Sequence, residues 1–320
     1  MTAFLTRPVA VSVPATSANL GPGFDSLGLA LAHRDRVTAR VLAPGTPSTV
    51  VVRGEGAGQV PLDGRHLVLS SMGAAFARMG VEPPALDLEC DNVIPHARGL
   101  GSSSAAIVAG ICLARELVGG PAALDDDAAL ALAAQIEGHP DNVAPALLGG
   151  FTIAWTGEGR CRAVVAEVDP RVQVVVFVPP AGVETTVARG LLPDDVPHDD
   201  AAANAGRAAL LVHALGREPE LLLAATEDRL HQDHREPAMP ASLTLVRALR
   251  TAGVAAVVSG AGPAVLAFTD EPGCAAVVAH APPRWRALPL SIDRRGARAE
   301  PVSGGRLSAE GGFAAGFTAR

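Results

Sequence analysis

Lysine and tyrosine are absent from this sequence of 320 residues, and aromatic side chains make up only 3% of it. Without lysine, the chain cannot form a Walker-type phosphate loop or a protein-kinase site, because each places a lysine on the nucleotide phosphates. Few aromatic side chains leave little material for stacking nucleic-acid bases, and a net charge of -7 provides no basic face. We therefore expect no binding of nucleic acid.

Long apolar runs and clustered cysteines are also missing. No apolar run approaches the roughly 20 residues that span a bilayer, and residues 1–8 lack the apolar centre of a secretory signal. We expect a cytoplasmic protein that does not bind membranes. The four cysteines lie too far apart in sequence for metal-ligand pairs, and we interpret them as buried or incidental thiols: Cys90, Cys112, Cys161 and Cys274.

The length and the 48% hydrophobic fraction are typical of a globular chain with two domains. Apolar patterns predict strands at 9–13, 36–42, 48–52, 86–92, 151–155 and 172–178, and a hairpin of 254–259 with 264–268. They predict helices at 66–79, 104–117, 128–136, 201–215, 219–230 and 242–252. The pattern indicates an α+β fold with an N-terminal domain at 1–160, a C-terminal domain at 161–300 and a mobile tail at 301–320.

The segment 95–106 joins a glycine-rich turn to three consecutive serines and an alanine-rich run of helical character. Glycine lets the backbone turn its N–H groups towards a phosphate, and the following helix would point its positive end at the anion. The local chemistry leaves two interpretations open, because serine and glycine also form turns that merely cap a helix.

Four segments resemble motifs of the GHMP kinases, the family named for galacto-, homoserine, mevalonate and phosphomevalonate kinases. Segment 99–103, with Pro95 ahead of it, is similar to the family's phosphate loop, and 13–25 and 258–263 are similar to its first and third motifs. Segment 137–150 resembles the members that phosphorylate L-homoserine. Together the motifs run from about residue 11 to residue 268 in the family's order.

The resemblance implies a two-domain GHMP kinase fold with the active site in the cleft between the domains. The N-terminal domain would be an α/β sandwich like domain 2 of ribosomal protein S5, with a left-handed βαβ unit, and the C-terminal domain a ferredoxin-like sandwich. It also implies ATP and Mg²⁺ as cofactors, a homodimer, and phosphorylation of the L-homoserine hydroxyl to O-phospho-L-homoserine in threonine biosynthesis. Two alternatives remain: another small-molecule kinase of the mevalonate or sugar type, or a ligand sensor without activity.

By the same resemblance, the nucleotide and its metal are held by the phosphate loop and one acidic residue. The expected nucleotide contacts are Pro95, Arg98, Gly99, Leu100, Gly101, Ser102, Ser103, Ser104 and Ala105. Ser103 and Glu137 would be the metal ligands, and two suffice because Mg²⁺ keeps several waters and binds phosphate oxygens. The alternative for Glu137 is a solvated carboxylate at a helix end.

The implied acceptor carries a carboxylate, an ammonium and a hydroxyl, and each group needs a different partner. Arginine suits a carboxylate through its paired donors, which makes Arg189 and Arg235 candidates, unless they are surface arginines. Asp25 is a candidate for the ammonium or the hydroxyl. The remaining expected substrate contacts, which we predict in loops, are Asn19, His139, Asn142 and Gly260.

The candidate catalytic residues are Asn142, Asp25 and Arg189. Several GHMP kinases pair an aspartate with a lysine at the position where this sequence has Asn142, and no lysine is present. We therefore expect Asn142 to orient the hydroxyl and no residue to act as an obligatory base. Such catalysis relies on positioning and charge, as a loose phosphoryl-transfer transition state allows.

Three polar groups have structural interpretations. We interpret Asp125, Asp126 and Asp127 as caps of a following helix, because carboxylates complement its dipole. His231 and His234 have the i, i+3 spacing of a metal pair, but without a clear third ligand we favour solvated histidines. Relatives often have an asparagine where this chain has His66, which we interpret as a helix-start residue, with ATP still expected to bind.

Overall fold

A computed structural model describes residues 4–302, and two β-sheets organise this part of the chain. The strands are β1 Val9–Ala18, β2 Leu27–Val41, β3 Thr49–Gly54, β4 Leu86–Asn92, β5 Phe151–Gly157, β6 Arg160–Ala166, β7 Gln173–Val178, β8 Ala256–Val258, β9 Val265–Thr269, β10 Arg286–Leu290 and β11 Arg298–Glu300. The α-helices are α1 Leu67–Arg78, α2 Ser102–Val118, α3 Asp126–Glu137, α4 Pro140–Leu148, α5 Thr185–Arg189, α6 His198–Gly216, α7 Leu222–Ala225, α8 Pro240–Thr251 and α9 Cys274–Val278. The mixed content confirms the α+β prediction. The predicted tail beyond residue 302 lies outside the described residues.

The first sheet has seven strands in the order β11-β1-β2-β4-β3, with β5 beside β2 and β6 beside β5. Strands β3 and β4 are parallel and are connected by α1, which makes a βαβ unit, while the other pairs are antiparallel. All ten residues of β1 are buried, since α2 covers it on one side. Strands β1 and β2 are longer than predicted because pairing extends them through small buried residues up to Ala18 and from Leu27 onward.

The second sheet has the order β10-β7-β9-β8. Alternate residues of β7 point to opposite faces. Val174 and Val176 join the large core shared with the first sheet, whereas Val175 and Phe177 pack in a smaller core beneath α8. The predictions of a buried strand here and of a β8–β9 hairpin are confirmed.

The chain crosses between the sheets twice. It leaves the first sheet after β6 and returns at β11, where Arg298–Glu300 pairs with β1. The two connections, 167–172 and 291–297, touch each other, since Arg294 Nη2 donates to the Val168 carbonyl at 3.2 Å. The domain boundary at residue 160 stays a prediction. Strands β6 and β11 come at or after this boundary in sequence, yet both lie in the first sheet, where they form hydrogen bonds with the backbone of β5 and β1.

Two aspartates, Asp125 and Asp228, influence where nearby helices begin and end. The Asp125 side chain caps α3 by accepting the Ala128 N–H at 2.8 Å, which confirms its capping role. The predicted helix over 219–230 is wrong beyond Ala225. The Asp228 carboxylate accepts the N–H groups of Leu230 and of the two following residues, which offers this backbone an alternative to helical bonding.

Across residues 4–302, none of the helices combines the length and the apolar character that crossing a bilayer demands.

Candidate active site

A cleft of about 290 Å³ has walls formed by loop and helix residues that are far apart in sequence. The predicted residues that line it are Asn19, Arg98, Gly99, Leu100, Gly101, Ser102, Ser103, Glu137, His139, Asn142, Arg189, Arg235 and Gly260. Asp25 adjoins this set through its ion pair with Arg189. The fold thus brings the expected phosphate loop and the expected acceptor residues together.

The phosphate loop needs its glycines for conformation and for space. Gly99 and Gly101 have φ of 73° and 68°, values that side chains rarely adopt. A Cβ on Gly101 would lie 1.9 Å from Thr16 Oγ1, and one on Gly99 would lie 2.1 Å from the Ser259 carbonyl oxygen. Because Gly101 immediately precedes α2, the loop presents backbone N–H groups at the positive end of a long helix.

Two serines at the start of α2 converge on one carboxylate at the end of α3. The Ser103 and Ser104 hydroxyls each donate to an oxygen of Glu137 at 2.8 Å. Hydroxyl and carboxylate oxygens are the donors that Mg²⁺ prefers, and two of them fit a cation that keeps waters and phosphate oxygens as its other ligands. Within residues 4–302 no group of three His, Cys, Asp or Glu side chains could hold a metal.

A second cavity, of about 250 Å³, opens on the other side of Ser102 and Ser103. Its walls are mostly apolar and include Val37, Val60, Pro61, Leu67, Val68, Ala105 and Ala106. His66 lies in this wall directly before α1, as the helix-start interpretation predicted. Its Nδ1 is buried and has no hydrogen-bond partner among the described residues, and burial, followed by the nearby His96, lowers its pKa. A flat, mainly apolar group next to an anion would fit here.

Asp25, Asn19 and Arg189 form the acceptor side of the cleft. Arg189 donates to both oxygens of Asp25, at 2.6 and 3.2 Å, and this hydrogen-bonded pairing raises the pKa of Arg189. Asn19 accepts the Asp25 N–H at 2.9 Å and donates to the Gly260 carbonyl at 3.0 Å. The first sheet's loop is thereby bonded to residues of the second half of the chain.

Arg235 is almost fully buried, at 1% exposure, so the surface-arginine alternative is wrong for it. Its Nη1 donates to the Gly260 carbonyl at 3.0 Å. Burial, and then the charge of Arg189, lowers the pKa of Arg235 to about 10. Both guanidinium carbons lie 5.6 Å from the centroid of the Phe24 ring, within range of a cation–π interaction. Two guanidinium groups therefore lie on this side of the cleft, and Asp25 pairs with that of Arg189.

Asn142 and His139 lie between the phosphate loop and the arginines, and each is held by a neighbour. Asn142 Oδ1 accepts the Thr16 hydroxyl at 2.8 Å, which leaves the amide nitrogen of Asn142 as a donor. His139 Nδ1 lies 2.6 Å from Asp141 Oδ1. Burial alone would lower the pKa of His139, but the hydrogen bond and charge of Asp141 outweigh it, and the pKa is raised. Sequence reasoning missed Thr16 and Asp141, although both lie inside the motifs that it singled out.

The prediction that Asn142 lies in a loop is wrong, and the two arginines of the acceptor side also lie in helical segments. Asn142 lies in α4, which Pro140 starts at its first position, Arg189 ends α5, and Arg235 lies in a 3-10 helix. Arg98 donates to the carbonyls of His96, Pro179 and Pro180, so its guanidinium binds backbone. Pro95 lines neither cavity, and Ala105 lines only the second.

His231 and His234, which have the spacing of a metal pair, differ in their surroundings. His231 is buried, and both of its ring nitrogens have protein partners: Nε2 contacts the Gly21 carbonyl at 2.7 Å, and Nδ1 contacts Arg235 Nη1 at 3.1 Å. His234 is exposed. His231 is thus part of the protein framework, and our expectation of a solvated side chain is wrong for it.

Comparison with known proteins agrees with this arrangement. The model of the GHMP kinases N terminal domain matches residues 66–150, and the model of the GHMP kinases C terminal domain matches residues 203–285. The chain belongs to the GHMP kinase family, whose members are ATP-dependent phosphotransferases. This confirms the family resemblance and the fold that it implies.

Within that family the chain is similar to homoserine kinases. It is 56% identical over 302 residues to the homoserine kinase of Streptomyces avermitilis, covering 94% of this chain and 98% of the relative. It is 53% identical over 310 residues to that of Clavibacter michiganensis, covering 95% and 97%. The crystal structure of homoserine kinase from Cytophaga hutchinsonii has a TM-score of 0.81 at 25% identity, with 92% and 97% covered. Mevalonate diphosphate decarboxylase from Staphylococcus aureus, at 14% identity and a TM-score of 0.68, shares the fold.

Proposed function

We propose that this chain transfers the γ-phosphate of ATP to the hydroxyl of L-homoserine and forms O-phospho-L-homoserine, a step of threonine biosynthesis. The observation that carries the proposal is one cleft with a glycine-rich helix N-terminus on one side and two arginines on the other. The first feature suits phosphates and the second suits a carboxylate. The names of the relatives support the same acceptor.

The nucleotide would lie across the phosphate loop, with its triphosphate on the backbone of 99–104 and its base in the second cavity. This placement is supported because Ser102 and Ser103 line both spaces. Ser103 and Glu137 would hold Mg²⁺, which supplies charge neutralisation to the phosphates when bound. The pairing of their side chains at 2.8 Å supports this role.

The acceptor would bind with its carboxylate at Arg235 and Arg189 and its ammonium near Asp25. Asn142 would then orient the hydroxyl through its amide N–H₂, since its oxygen already accepts a hydrogen bond from Thr16. An amide donor cannot take a proton, and Asp25 is held by the Arg189 cation. These contacts support catalysis by positioning and charge, without an obligatory base. A steep acidic limb in the pH–rate profile that Asp25→Asn removes while binding persists would contradict this.

Two alternatives use the same fold. Mevalonate has a carboxylate but no ammonium, and a sugar has neither group. Neither acceptor would therefore use both the arginines and Asp25. A ligand sensor would not need the pairing of Ser103 with Glu137. Measuring which acceptor is phosphorylated, if any, distinguishes both alternatives from our proposal.

The test is release of ADP from Mg-ATP with L-homoserine, L-serine, mevalonate or galactose, and the product mass identifies the phosphorylated acceptor. We expect selective turnover of L-homoserine, lost in Ser103→Ala and Glu137→Gln. Ser291→Ala and Glu167→Gln are matched controls, because both side chains are exposed and lie outside the cleft. Turnover of another acceptor would overturn the substrate, and nucleotide binding without turnover would favour the sensor.

We further propose that the protein works in the cytoplasm, where its four free cysteines would stay reduced. We also propose a homodimer. Support comes from exposed apolar side chains at one edge of the first sheet. Val164 on the edge strand β6 is 48% exposed, and Trp155 on the neighbouring strand β5 is 44% exposed. Sedimentation of the wild-type protein and of Val164→Asp would test this, and a wild-type monomer would contradict it.

A further inference from the structure

A closed set of hydrogen bonds lies behind the acceptor side of the cleft and centres on His231. The ring contacts the Gly21 carbonyl through Nε2 at 2.7 Å and Arg235 Nη1 through Nδ1 at 3.1 Å. Arg235 Nη1 also donates to the Gly260 carbonyl at 3.0 Å, to which Asn19 donates as well. The set therefore connects the loop that follows β1 to the arginine that we assign to the substrate carboxylate.

The partners of His231 determine which nitrogen carries its proton. A carbonyl oxygen can only accept, so Nε2 must donate to Gly21. A guanidinium can only donate, so Nδ1 must offer its lone pair to Arg235. The ring is thus neutral, with the proton on Nε2.

The surroundings keep the ring in that state. Burial, and to a smaller extent Arg235, holds the pKa of His231 below its ordinary value, against the opposing charges of Asp228 and Asp25. The Asp228 carboxylate lies 3.6 Å from Nε2 and accepts the His231 backbone N–H. The Phe24 ring packs against His231, with its centroid 5.1 Å from that of the imidazole.

The bonds of His231 leave one edge of the Arg235 guanidinium for a ligand. Nη1 is held by the imidazole and by the Gly260 carbonyl, whereas the buried Nε has no partner among residues 4–302. Arg235 lines the cleft. A substrate carboxylate in the cleft would pair with this guanidinium, and the geometry of that pairing depends on how Nη1 is fixed.

We propose that His231 is a positioning residue that acts through Arg235 on the carboxylate of the amino-acid substrate. His231 orients Arg235 by accepting its Nη1–H, and it connects Arg235 to the loop of Asn19 and Asp25 by donating a hydrogen bond to the Gly21 carbonyl. This inference rests on the proposed function, because it uses Arg235 as the carboxylate ligand. His231 itself is not among the residues that line the cleft.

Three variants separate the two hydrogen bonds of the ring. Asn places an acceptor near the position of Nδ1, Gln places a donor near the position of Nε2, and Phe keeps the stacking on Phe24 without either bond. We expect His231→Phe to raise KM for L-homoserine about tenfold or more, the range for losing a hydrogen bond to a charged group. We expect the KM for L-homoserine to rise less in His231→Asn, which keeps the acceptor for Arg235, than in His231→Gln. We expect the KM for ATP to stay unchanged in all three variants.

A residue that only fills space would give a different result. Equal KM values for L-homoserine in the wild type and His231→Phe, or parallel changes of both KM values, would overturn the proposal. Asn and Gln variants that behave alike would also overturn it. Thermal unfolding of each variant shows whether a loss of folding explains a loss of activity.

Nitrogen NMR of the wild-type histidines provides a test that needs no variant. We expect His231 to be neutral at pH 7 with its proton on Nε2, and a proton on Nδ1 would overturn the inference. Absence of turnover of L-homoserine by the wild type would instead refute the proposed function, since the NMR result does not depend on activity.

Discussion

Among single residues, Gly101 is a position where the phosphate loop has no room for a side chain. Its φ of 68° and the 1.9 Å that a Cβ would leave to Thr16 Oγ1 both oppose a side chain. We expect Gly101→Ala to lower the free energy of unfolding by about 2 kcal/mol and kcat/KM by about 100-fold. Urea unfolding and ADP release measure the two effects.

Gly73→Ala is the matched control. Nothing lies within 4 Å of a Cβ at Gly73, which is inside α1. Alanine should therefore raise the free energy of unfolding by up to about 1 kcal/mol through helix propensity, with activity unchanged. Equal behaviour of the two variants would show that the loop geometry does not matter.

Asp35 gives a pH dependence of stability. Its Oδ1 accepts the N–H groups of Val93 and Ile94, at 2.6 and 2.9 Å, directly before the phosphate loop. Burial raises the pKa of Asp35 from 3.8 to about 6, although those hydrogen bonds oppose the change. Because the folded pKa is above the unfolded one, the stabilisation is complete below pH 3.8 and is lost as the pH rises through about 6.

Asp35→Asn keeps an oxygen for both amides and removes the charge. We expect it to be more stable than the wild type at pH 8, by up to about 3 kcal/mol, and to lose this advantage at pH 4. Urea unfolding at the two pH values measures the difference. An advantage that is the same at both would show that ionisation of Asp35 is not the cause.

The motifs in the sequence indicated which single residues would come together, whereas the roles of those residues stay predictions. Ser103, Glu137, Arg189 and Arg235 all line the cleft, as expected. The supporting residues Thr16 and His231 were not predicted, because their roles depend on partners more than 100 residues away, Asn142 and Gly21. Such pairs come together only through the packing of the two sheets.

Among the elements, α3 offers the clearest measurement. Asp125 caps its N-terminus through the Ala128 N–H, whereas Asp127 lies in the first turn and is exposed. We expect Asp125→Ala to lower the free energy of unfolding by about 1 kcal/mol, and Asp127→Ala to have a smaller effect, because it loses only the interaction with the helix dipole. Thermal unfolding of the two variants compares them, and equal losses would exclude a capping role.

Elements with a strong local pattern were predicted closely, and β4 agrees in both ends with the predicted 86–92. The missed helix α4 has a proline at its start and another, Pro145, inside, which hides its pattern. The predicted helix over 219–230 has apolar residues at suitable spacing. It ends early because Asp228 binds the backbone that would continue it.

On the scale of the whole molecule, Arg98 joins the phosphate loop to the second sheet. Its guanidinium donates to the carbonyls of Pro179 and Pro180, which follow β7. We expect Arg98→Ala to lower the free energy of unfolding by about 2 kcal/mol and to raise KM for both substrates, since the loop loses its support. Arg171→Ala is the control, because that arginine forms only exposed ion pairs and should change little. Unchanged KM values in Arg98→Ala would contradict this role.

The return of the chain to the first sheet could not be predicted from sequence. Strand β11 has three residues, too few for an alternating pattern, and its partner β1 lies almost 290 positions earlier, as in the pairing of Ser12 with Arg298. Its pairing depends on the free edge that β1 presents once the sheet is formed.

The contact between the two connections has a mechanical consequence. Because Arg294 bonds to Val168, the covalent joints between the halves lie together at one place. Across the cleft, by contrast, the halves are joined by hydrogen bonds and ion pairs such as Asn19 with Gly260 and Asp25 with Arg189. The polar bonds that hold the two walls of the cleft together thus include groups that we assign to the acceptor, beside an apolar core that both sheets share, so a bound acceptor would change how firmly the walls are joined.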